Sequence, residues 1–230
     1  MRLLLIGHGR MGQLVEALAV SHGCEVAGIA DIDAPVIDVL SRAGHVDVAI
    51  DFSLADAVVP NLTALAARHV NVVVGTTGWQ AREPECRQLV DRAGIGVLAS
   101  ANFSVGMNVF AYAVEIAARE FAAHDVGAWV HEAHHVAKKD APSGTALMLE
   151  RRMRDGGYAR AIDMSSTRAG SIPGTHTVGF DALAETVTMT HDVRDRAVFA
   201  HGALEAAKWL SGRRGWFTMR DMLRGAGRSS

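Results

Sequence analysis

The chain has 230 residues, a formal net charge of −2, 49% hydrophobic residues and 21% charged residues. This composition is typical of a folded globular protein, and the small net charge gives no reason to expect a nucleic acid or an anionic membrane as partner. The apolar runs are far shorter than the roughly 18–20 residues that span a bilayer, so no membrane-spanning segment is expected.

The N-terminus and the cysteines indicate a compartment. A strand is predicted directly at Arg2 to Ile6, which leaves no room for a signal peptide. Cys24 and Cys86 form no spacing motif, so a disulfide framework is not expected. Together these features predict a cytoplasmic protein.

The first hundred residues alternate short apolar runs with helical patterns. Strands are predicted over residues 2–7, 24–31, 46–53, 70–78 and 95–103, and helices over 11–22, 55–69 and 83–94. Strands that alternate with helices at this spacing indicate βαβ units. We therefore predict an α/β fold with a doubly wound, Rossmann-type parallel sheet. This sheet would form a dinucleotide-binding domain over residues 1–103, which the C-terminal helical segment 202–230 would complete.

The pattern changes after Phe103. A mostly buried helix is predicted over residues 108–124, a strand over 125–135 and a helix over 143–154, followed by extended segments over 161–170, 175–183, 185–193 and 197–202. Consecutive strands without intervening helices predict a second, α+β domain with an open mixed sheet over residues 104–201. A last helix, 203–212, is expected to pack on the first domain.

A glycine motif follows the first strand. Gly7, His8, Gly9, Arg10, Met11 and Gly12 fit G-x-G-x-x-G at the start of a predicted helix, where the glycines permit a tight turn and close approach of a pyrophosphate. Asp31 ends the second strand, where a carboxylate would hold the adenosine ribose. The motif predicts NADH or NADPH binding, and Asp31 favours NADH because a 2′-phosphate would meet its charge.

Two more loops end predicted parallel strands, at the edge where open α/β sheets bind ligands. They are Gly75-Thr76-Thr77 and Ser100-Ala101-Asn102-Phe103. Both are compatible with contacts to the nicotinamide end of a cofactor, and spacing alone is equally compatible with ordinary strand-to-helix turns.

The segment His131 to His135 matches the H-E-x-x-H zinc pattern, which binds metal when it is helical. Its neighbours favour a strand, on which the two histidines would lie roughly 13 Å apart at about 3.3 Å per residue. No third ligand is evident, so we predict no metal site.

Acid/base chemistry is the alternative for this segment. His134, His135 and Lys138 cluster ahead of Ser143, Gly144 and Thr145, which are expected to open a helix with free backbone N–H groups. Imidazole, ammonium and an anion cradle suit a small acidic substrate. On the residues alone, a plain N-cap with surface histidines remains an equally good interpretation.

The sequence also resembles a known family. The run "EAHHVAKKDAPSGTA" (132–146) is similar to the signature of the 4-hydroxy-tetrahydrodipicolinate reductase (dihydrodipicolinate reductase) family of lysine and diaminopimelate biosynthesis. Further stretches match in order: "GRMG" (9–12), "DFS" (51–53), "GTTG" (75–78), "ANFSVGMN" (101–108), the pattern over 168–180, and "FAHGALEAAKWL" (199–210).

The resemblance implies roles for these positions. His134 would be the catalytic acid/base and Lys138 the proton donor, although the sequence leaves open which of the two delivers the proton. His135, Gly144 and Thr145 would hold the carboxylates of a small dicarboxylate substrate. The nucleotide would contact Phe52 and the loops named above, and the second domain would assemble a homotetramer.

The stretches around Ala184 and Arg194 depart from the family pattern without removing a residue needed for chemistry. Two alternatives therefore stay open. One is a divergent Rossmann imine reductase, and the other is a non-catalytic dinucleotide-binding sensor of the same fold.

Overall fold

The computed structural model describes residues 1–226 and divides the chain into two compact units. The first unit comprises Met1–Val105 and the segment that starts at Ala197, and the second comprises Gly106–Arg196. Residues 227–230, the end of the predicted C-terminal segment, lie outside the described part. No helix between residues 1 and 226 is long and apolar enough to cross a membrane.

The first unit contains a six-stranded sheet whose neighbouring strands all pair in parallel. Its order is β10-β5-β4-β3-β1-β2, with β1 Arg2–Ile6, β2 Glu25–Ala30, β3 Val48–Asp51, β4 Asn71–Val74, β5 Gly96–Ala99 and β10 Gly215–Phe217. The central strands are buried on both faces, which explains their continuous apolar sequences. The strand order reverses at β1, so the crevice beside its carboxyl end is where such sheets bind ligands.

Helices cover both faces of this sheet. On one face lie α2 Val36–Ala43, α3 Val58–Ala66 and α4 Glu83–Ala93. On the other lie α1 Arg10–Ala19, α7 Ala197–Leu210 and α8 Met219–Ala226. Pro60 lies in the first turn of α3, where a missing N–H does no harm.

The second unit packs two helices, α5 Val105–Phe121 and α6 Gly144–Asp155, on one face of a four-stranded sheet. The sheet has the order β7-β6-β8-β9, with β6 Gly127–His134, β7 Ile162–Arg168, β8 Thr175–Asp181 and β9 Thr186–Asp192. β6 pairs in parallel with β7, and the other two pairings are antiparallel. This architecture confirms the predicted fold class.

The predicted elements need three corrections: one strand was wrong, and one helix and one strand were missed. Residues 197–202 are not a strand but the first turns of α7, because buried alanines at positions 200, 203, 206 and 207 continue the helical period downstream. The short helix α2 was missed, although Val36, Val39 and Leu40 show helical spacing between Pro35 and Gly44. The three-residue strand β10 was missed because it is too short to show a period.

Candidate active site

Three buried ionisable residues of the second unit share one face of its sheet. Side chains alternate along β6, so Glu132 and His134 point to the same side, and His176 on β8 lies opposite Glu132. All three are buried. His131 points to the other face, where its Nδ1 lies 2.8 Å from the Ser165 hydroxyl. The segment is a strand that ends at His134, so His131 and His135 do not share a helix turn as the H-E-x-x-H zinc pattern requires.

Glu132 is the centre of this network. Its carboxylate accepts two hydrogen bonds from Arg168, at 2.7 and 3.0 Å, and one from the backbone N–H of Ser143 at 3.3 Å. It also contacts the Nδ1 atom of His134. Burial alone would raise its pKa, but the hydrogen bonds from Arg168, Ser166 and His134 outweigh burial and lower the pKa to about 2. Glu132 is therefore an ionised acceptor.

This carboxylate determines the state of His134. Because an ionised carboxylate can only accept, Nδ1 of His134 must carry a proton, which leaves Nε2 as the other ring nitrogen. Burial lowers the pKa of His134 more than the neighbouring Glu132 raises it, so the imidazole is neutral at pH 7. A Cβ placed on Gly174 would lie 3.1 Å from Nε2, so this glycine keeps the space beside that nitrogen clear.

Ser143 and His176 form the inner wall of the network. The Ser143 hydroxyl accepts the N–H of Ala146 at 3.2 Å, as the N-cap of α6, and lies 3.2 Å from Nε2 of His176. Burial lowers the pKa of His176 to about 4, and its histidine and lysine neighbours add to the shift. The substrate contact predicted for Ser143 stays a prediction, and in the structure its hydroxyl and its N–H are both hydrogen-bonded within the protein.

The remaining predicted residues lie on the loop and helix start that follow β6. The Lys138 ammonium donates to both oxygens of Asp140, at 2.7 and 2.9 Å. His135 is half-buried, Gly144 is exposed and Thr145 is half-buried at the start of α6. The N–H groups of Gly144 and Thr145 at the start of α6 have no intrahelical partner, so they can donate hydrogen bonds to a carboxylate. Arg168 also donates to the Asp140 carbonyl at 2.6 Å and thus ties this loop to β7.

Glu132, His134 and His176 place one potential ligand atom each within 4.8 Å of one another. Both oxygens of Glu132 already accept hydrogen bonds from Arg168, and one of them also binds the His134 ring. A guanidinium beside the carboxylate opposes a cation at the same place. The donor set therefore fits a hydrogen-bonded acid/base network rather than a metal centre.

In the first unit, the glycine loop has the backbone that its motif predicts. Gly7 has φ +83°, and a Cβ on Gly12 would lie 2.1 Å from the Gly7 carbonyl oxygen. Gly9 differs, because its φ is −72° and no protein atom lies within 4 Å of a Cβ built on it. Gly9 is the N-cap of α1 and gives no side-chain cap, so the N-terminal N–H groups of α1 are available to an anion.

A cavity of about 410 Å³ adjoins this loop. Its lining includes Gly7, His8, Gly9, Asp31 and Phe52 together with the apolar side chains of Ile6, Pro35, Val36 and Leu54. The Asp31 carboxylate accepts the backbone N–H groups of His8 at 3.2 Å and Ile32 at 2.9 Å, so it is fixed at the end of β2. Arg10 and Met11 lie in the first turn of α1 and do not line this cavity. The cradle fits the adenosine and pyrophosphate of a dinucleotide.

The loops after β3 and β4 are organised by a buried carboxylate. Asp51 accepts hydrogen bonds from Ser53, Asn61 and the Thr76 hydroxyl, the last at 2.9 Å. Thr76 therefore positions its loop and offers a ligand its backbone, while Thr77 is exposed. A Cβ on Gly75 would lie 2.1 Å from the Phe52 ring, so this glycine allows the two loops to pack together.

The loop after β5 holds itself in place. The Ser100 hydroxyl donates to the Asn102 carbonyl at 2.8 Å and accepts the Asn102 N–H at 3.2 Å. Phe103 is buried and meets Phe52 edge to face at 6.0 Å, and Ala101 is exposed. These predicted cofactor residues thus lie on loops at the carboxyl edge of one sheet, and their contacts with a cofactor remain predictions.

Sequence reasoning left Glu132 without a role and omitted Arg168 and His176. The period-2 spacing of Glu132 and His134 on a predicted strand was a usable signal, because it places both side chains on one face. Arg168 lies 36 positions from Glu132 in sequence, and only the parallel pairing of β6 with β7 brings them together.

Taken together, a doubly wound sheet with a glycine-loop cradle and a second unit with a buried carboxylate–imidazole pair define the class of a dinucleotide-dependent oxidoreductase. Comparisons with known proteins specify the family. The family models described as "Dihydrodipicolinate reductase, N-terminus" and "Dihydrodipicolinate reductase, C-terminus" match residues 1–103 and 106–223. The chain belongs to the dihydrodipicolinate reductase family, whose members are NAD(P)H-dependent oxidoreductases of lysine and diaminopimelate biosynthesis.

Relatives cover the full length of the chain. The 4-hydroxy-tetrahydrodipicolinate reductase of Christiangramia forsetii is 32% identical, over 97% of this chain and 98% of the relative. That of Methanoregula boonei is 38% identical, over 94% of each. The dipicolinate-bound dihydrodipicolinate reductase from Paenisporosarcina sp. TG-14 has the same fold, with a TM-score of 0.80 at 20% identity and coverage of 95% of this chain and 97% of that one. These comparisons confirm the family predicted from the sequence.

Proposed function

We propose that this protein catalyses the NAD(P)H-dependent reduction of 4-hydroxy-tetrahydrodipicolinate to tetrahydrodipicolinate. Full-length relatives with this activity in their names support the proposal. The observation that carries the proposal is the contact of the ionised Glu132 carboxylate with Nδ1 of His134. His134 in turn precedes Lys138, which supplies the ammonium, by four residues. Such an acid/base group next to a helix N-terminus suits an anionic substrate that must receive a proton.

The first unit would hold the cofactor. The glycine loop and the start of α1 would bind the pyrophosphate, and Asp31 the adenosine ribose. The loops at Gly75–Thr77 and Ser100–Phe103 would hold the nicotinamide end. When bound, the reduced nicotinamide supplies the hydride, which the chain itself cannot supply.

The second unit would bind and protonate the substrate. The N–H groups of Gly144 and Thr145, with the His135 ring, would hold the two carboxylates of the small dicarboxylate. Lys138 would deliver a proton from Nζ, and His134 would present Nε2 to the substrate and accept or relay protons there. Hydride, proton and loss of water together balance the reduction.

Asp31 and its surroundings favour NADH. Among the residues that line the cavity at the glycine loop there is no arginine or lysine, and Asp31 is the acidic one. A 2′-phosphate would therefore meet a negative charge without a compensating cation.

Self-association into a homotetramer would use the sheet face opposite α5 and α6. That face carries the Trp129 indole over Gly179, along with threonines at positions 167, 177, 188 and 190. A threonine-rich sheet face suits a second copy of the same surface. Sedimentation of the wild type and of Thr190→Arg tests this, because the variant should dissociate. We also propose that the enzyme acts in the cytoplasm.

Coupled binding tests the site without turnover. NADH is titrated by isothermal calorimetry with and without pyridine-2,6-dicarboxylate, a planar dicarboxylate. A reductase site should bind the two ligands interdependently, and Lys138→Ala should weaken binding of the dicarboxylate more than binding of NADH. A non-catalytic dinucleotide sensor would bind NADH and ignore the dicarboxylate.

A further inference from the structure

The further inference concerns Glu132 and Arg168, neither of which is expected to touch the substrate. The Glu132 side chain is fully buried, and that of Arg168 is 19% exposed. Arg168 donates two hydrogen bonds to Glu132, from Nη1 to Oε2 at 3.0 Å and from Nη2 to Oε1 at 2.7 Å. This bidentate arrangement is that of a strong ion pair. The same Oε2 contacts His134 Nδ1, so one oxygen serves both the guanidinium and the imidazole.

We propose that Glu132 and Arg168 are a positioning pair for His134: the carboxylate fixes the proton on Nδ1 and directs Nε2 outward, and the guanidinium neutralises the carboxylate so that the imidazole stays uncharged. The proposal deepens the proposed function and rests on it for the role of His134. The division of labour between the two residues does not depend on which substrate is bound.

Each half of the pair has its own electrostatic effect. An unpaired buried carboxylate next to an imidazole would stabilise the imidazolium, as an opposite charge at hydrogen-bond distance does. Arg168 cancels this effect by sharing the charge of Glu132. It is itself held by the carbonyls of Thr167 at 2.8 Å and Asp140 at 2.6 Å, so it cannot swing away without losing several hydrogen bonds.

Other groups face His134 from each neighbouring element. His176 on β8 lies with its ring centroid 5.1 Å from that of His134, edge to face. His191 on β9 in turn lies opposite His176. Lys138 from the following loop, like Arg168, disfavours a charge on His134. Glu132 is the acidic group among the neighbours that act on His134, so its neutralisation by Arg168 determines whether the His134 ring is charged or neutral.

Opposite shifts in two variants test the pair. The pKa of His134 is measured by NMR on protein with ring-15N histidine, and its signals are assigned by their loss in His134→Gln. Arg168→Gln should raise the pKa by about one unit or more, because Glu132 is left uncompensated. Glu132→Gln should lower it by a similar amount and should allow the proton to move to Nε2.

A merely structural role gives a different result. Loosening the site would expose His134 in both variants and move both pKa values up, toward the ordinary value. That outcome, or no shift in either variant, overturns the proposal. If Glu132→Gln does not fold, Arg168→Lys decides in its place, because it keeps the charge and should leave the pKa near that of the wild type while Arg168→Gln raises it.

A matched control comes from the same unit. Arg152 of α6 pairs with the buried Glu115 of α5 at 3.4 Å, so Arg152→Gln also removes a guanidinium from a buried carboxylate. It should reduce stability without moving the His134 titration. The NMR experiment needs no turnover. Opposite shifts in the two variants, together with a wild type that does not reduce 4-hydroxy-tetrahydrodipicolinate, would therefore refute the proposed function and leave the pairing intact.

Discussion

Burial of His176 should make the stability of the protein depend on pH between the pKa values of this histidine in the folded and unfolded chain. The folded state holds the pKa of His176 at about 4, against an ordinary value of 6.5. As the pH falls below 6.5 the unfolded chain gains a proton that the folded chain does not accept, so stability is lost between pH 6.5 and 4. Above 6.5 this contribution is fully present.

The size of the effect follows from the shift. A His176 pKa of about 4 in the folded chain, against 6.5 in the unfolded chain, corresponds to a loss of about 3 kcal/mol in the free energy of unfolding when the loss is complete, at about 1.4 kcal/mol per pKa unit. At pH 5 the loss is about 2 kcal/mol. Glu132 acts lower, because its folded pKa is about 2 against an ordinary 4.5, so its stabilisation is lost only between those values.

The assay compares urea unfolding near pH 7.5 and pH 5 at one protein concentration. His134 and His191 also have lowered pKa values, so the useful quantity is the difference between the wild type and His176→Gln. The variant should lose about 2 kcal/mol less on acidification. The control His124→Gln removes an exposed histidine of the same unit and should behave like the wild type. An equal pH dependence in His176→Gln and the wild type would refute the reasoning.

Three substitutions test the cofactor and substrate sites. Gly9→Ala should fold normally, but calorimetry should show NADH binding weakened about tenfold or more, because the added methyl group would contact only the ligand. Gly12→Ala should instead lower the free energy of unfolding by about 3 kcal/mol, because its methyl group would clash with the backbone. Asp31→Ser should raise the ratio of NADPH to NADH affinity about tenfold, and an unchanged ratio would remove Asp31 from cofactor selection. Gly174 has a φ of +153°, and a methyl group added there would lie 3.1 Å from Nε2 of His134. Gly174→Ala should therefore lower kcat about tenfold and leave NADH binding intact.

The parts of the fold that the sequence predicts are those with strong local signals. The central strands are buried on both faces and read as continuous apolar runs, and the glycine loop combines a motif with its strand and helix. The error at residues 197–202 has a local cause, because a short apolar run fits a strand as well as a buried helix. There Gly202 packs against the Phe103 carbonyl, a tertiary contact that the run itself does not reveal.

In the candidate site, too, the features with local sequence signals are predictable and those that depend on tertiary contacts are not. On a strand, His131 and His135 would lie roughly 13 Å apart at about 3.3 Å per residue, so the zinc pattern loses its geometry once the strand is predicted correctly. The ion pair of Glu132 with Arg168 and the packing of His176 against Ser143 depend on strand pairing across tens of residues, which sequence spacing does not determine. The resemblance predicts the reacting residues, and the structure adds the residues that contact them.

Steady-state oxidation of NADH and NADPH with enzymatically generated 4-hydroxy-tetrahydrodipicolinate tests the central claim most directly. We expect substrate-dependent oxidation by the wild type, and kcat lower by about 100-fold or more in His134→Gln and Lys138→Ala, because a lost acid or base typically costs that much. Calorimetry should show that both variants still bind NADH. Oxidation by the wild type no faster than in these variants, with either cofactor, would contradict the account.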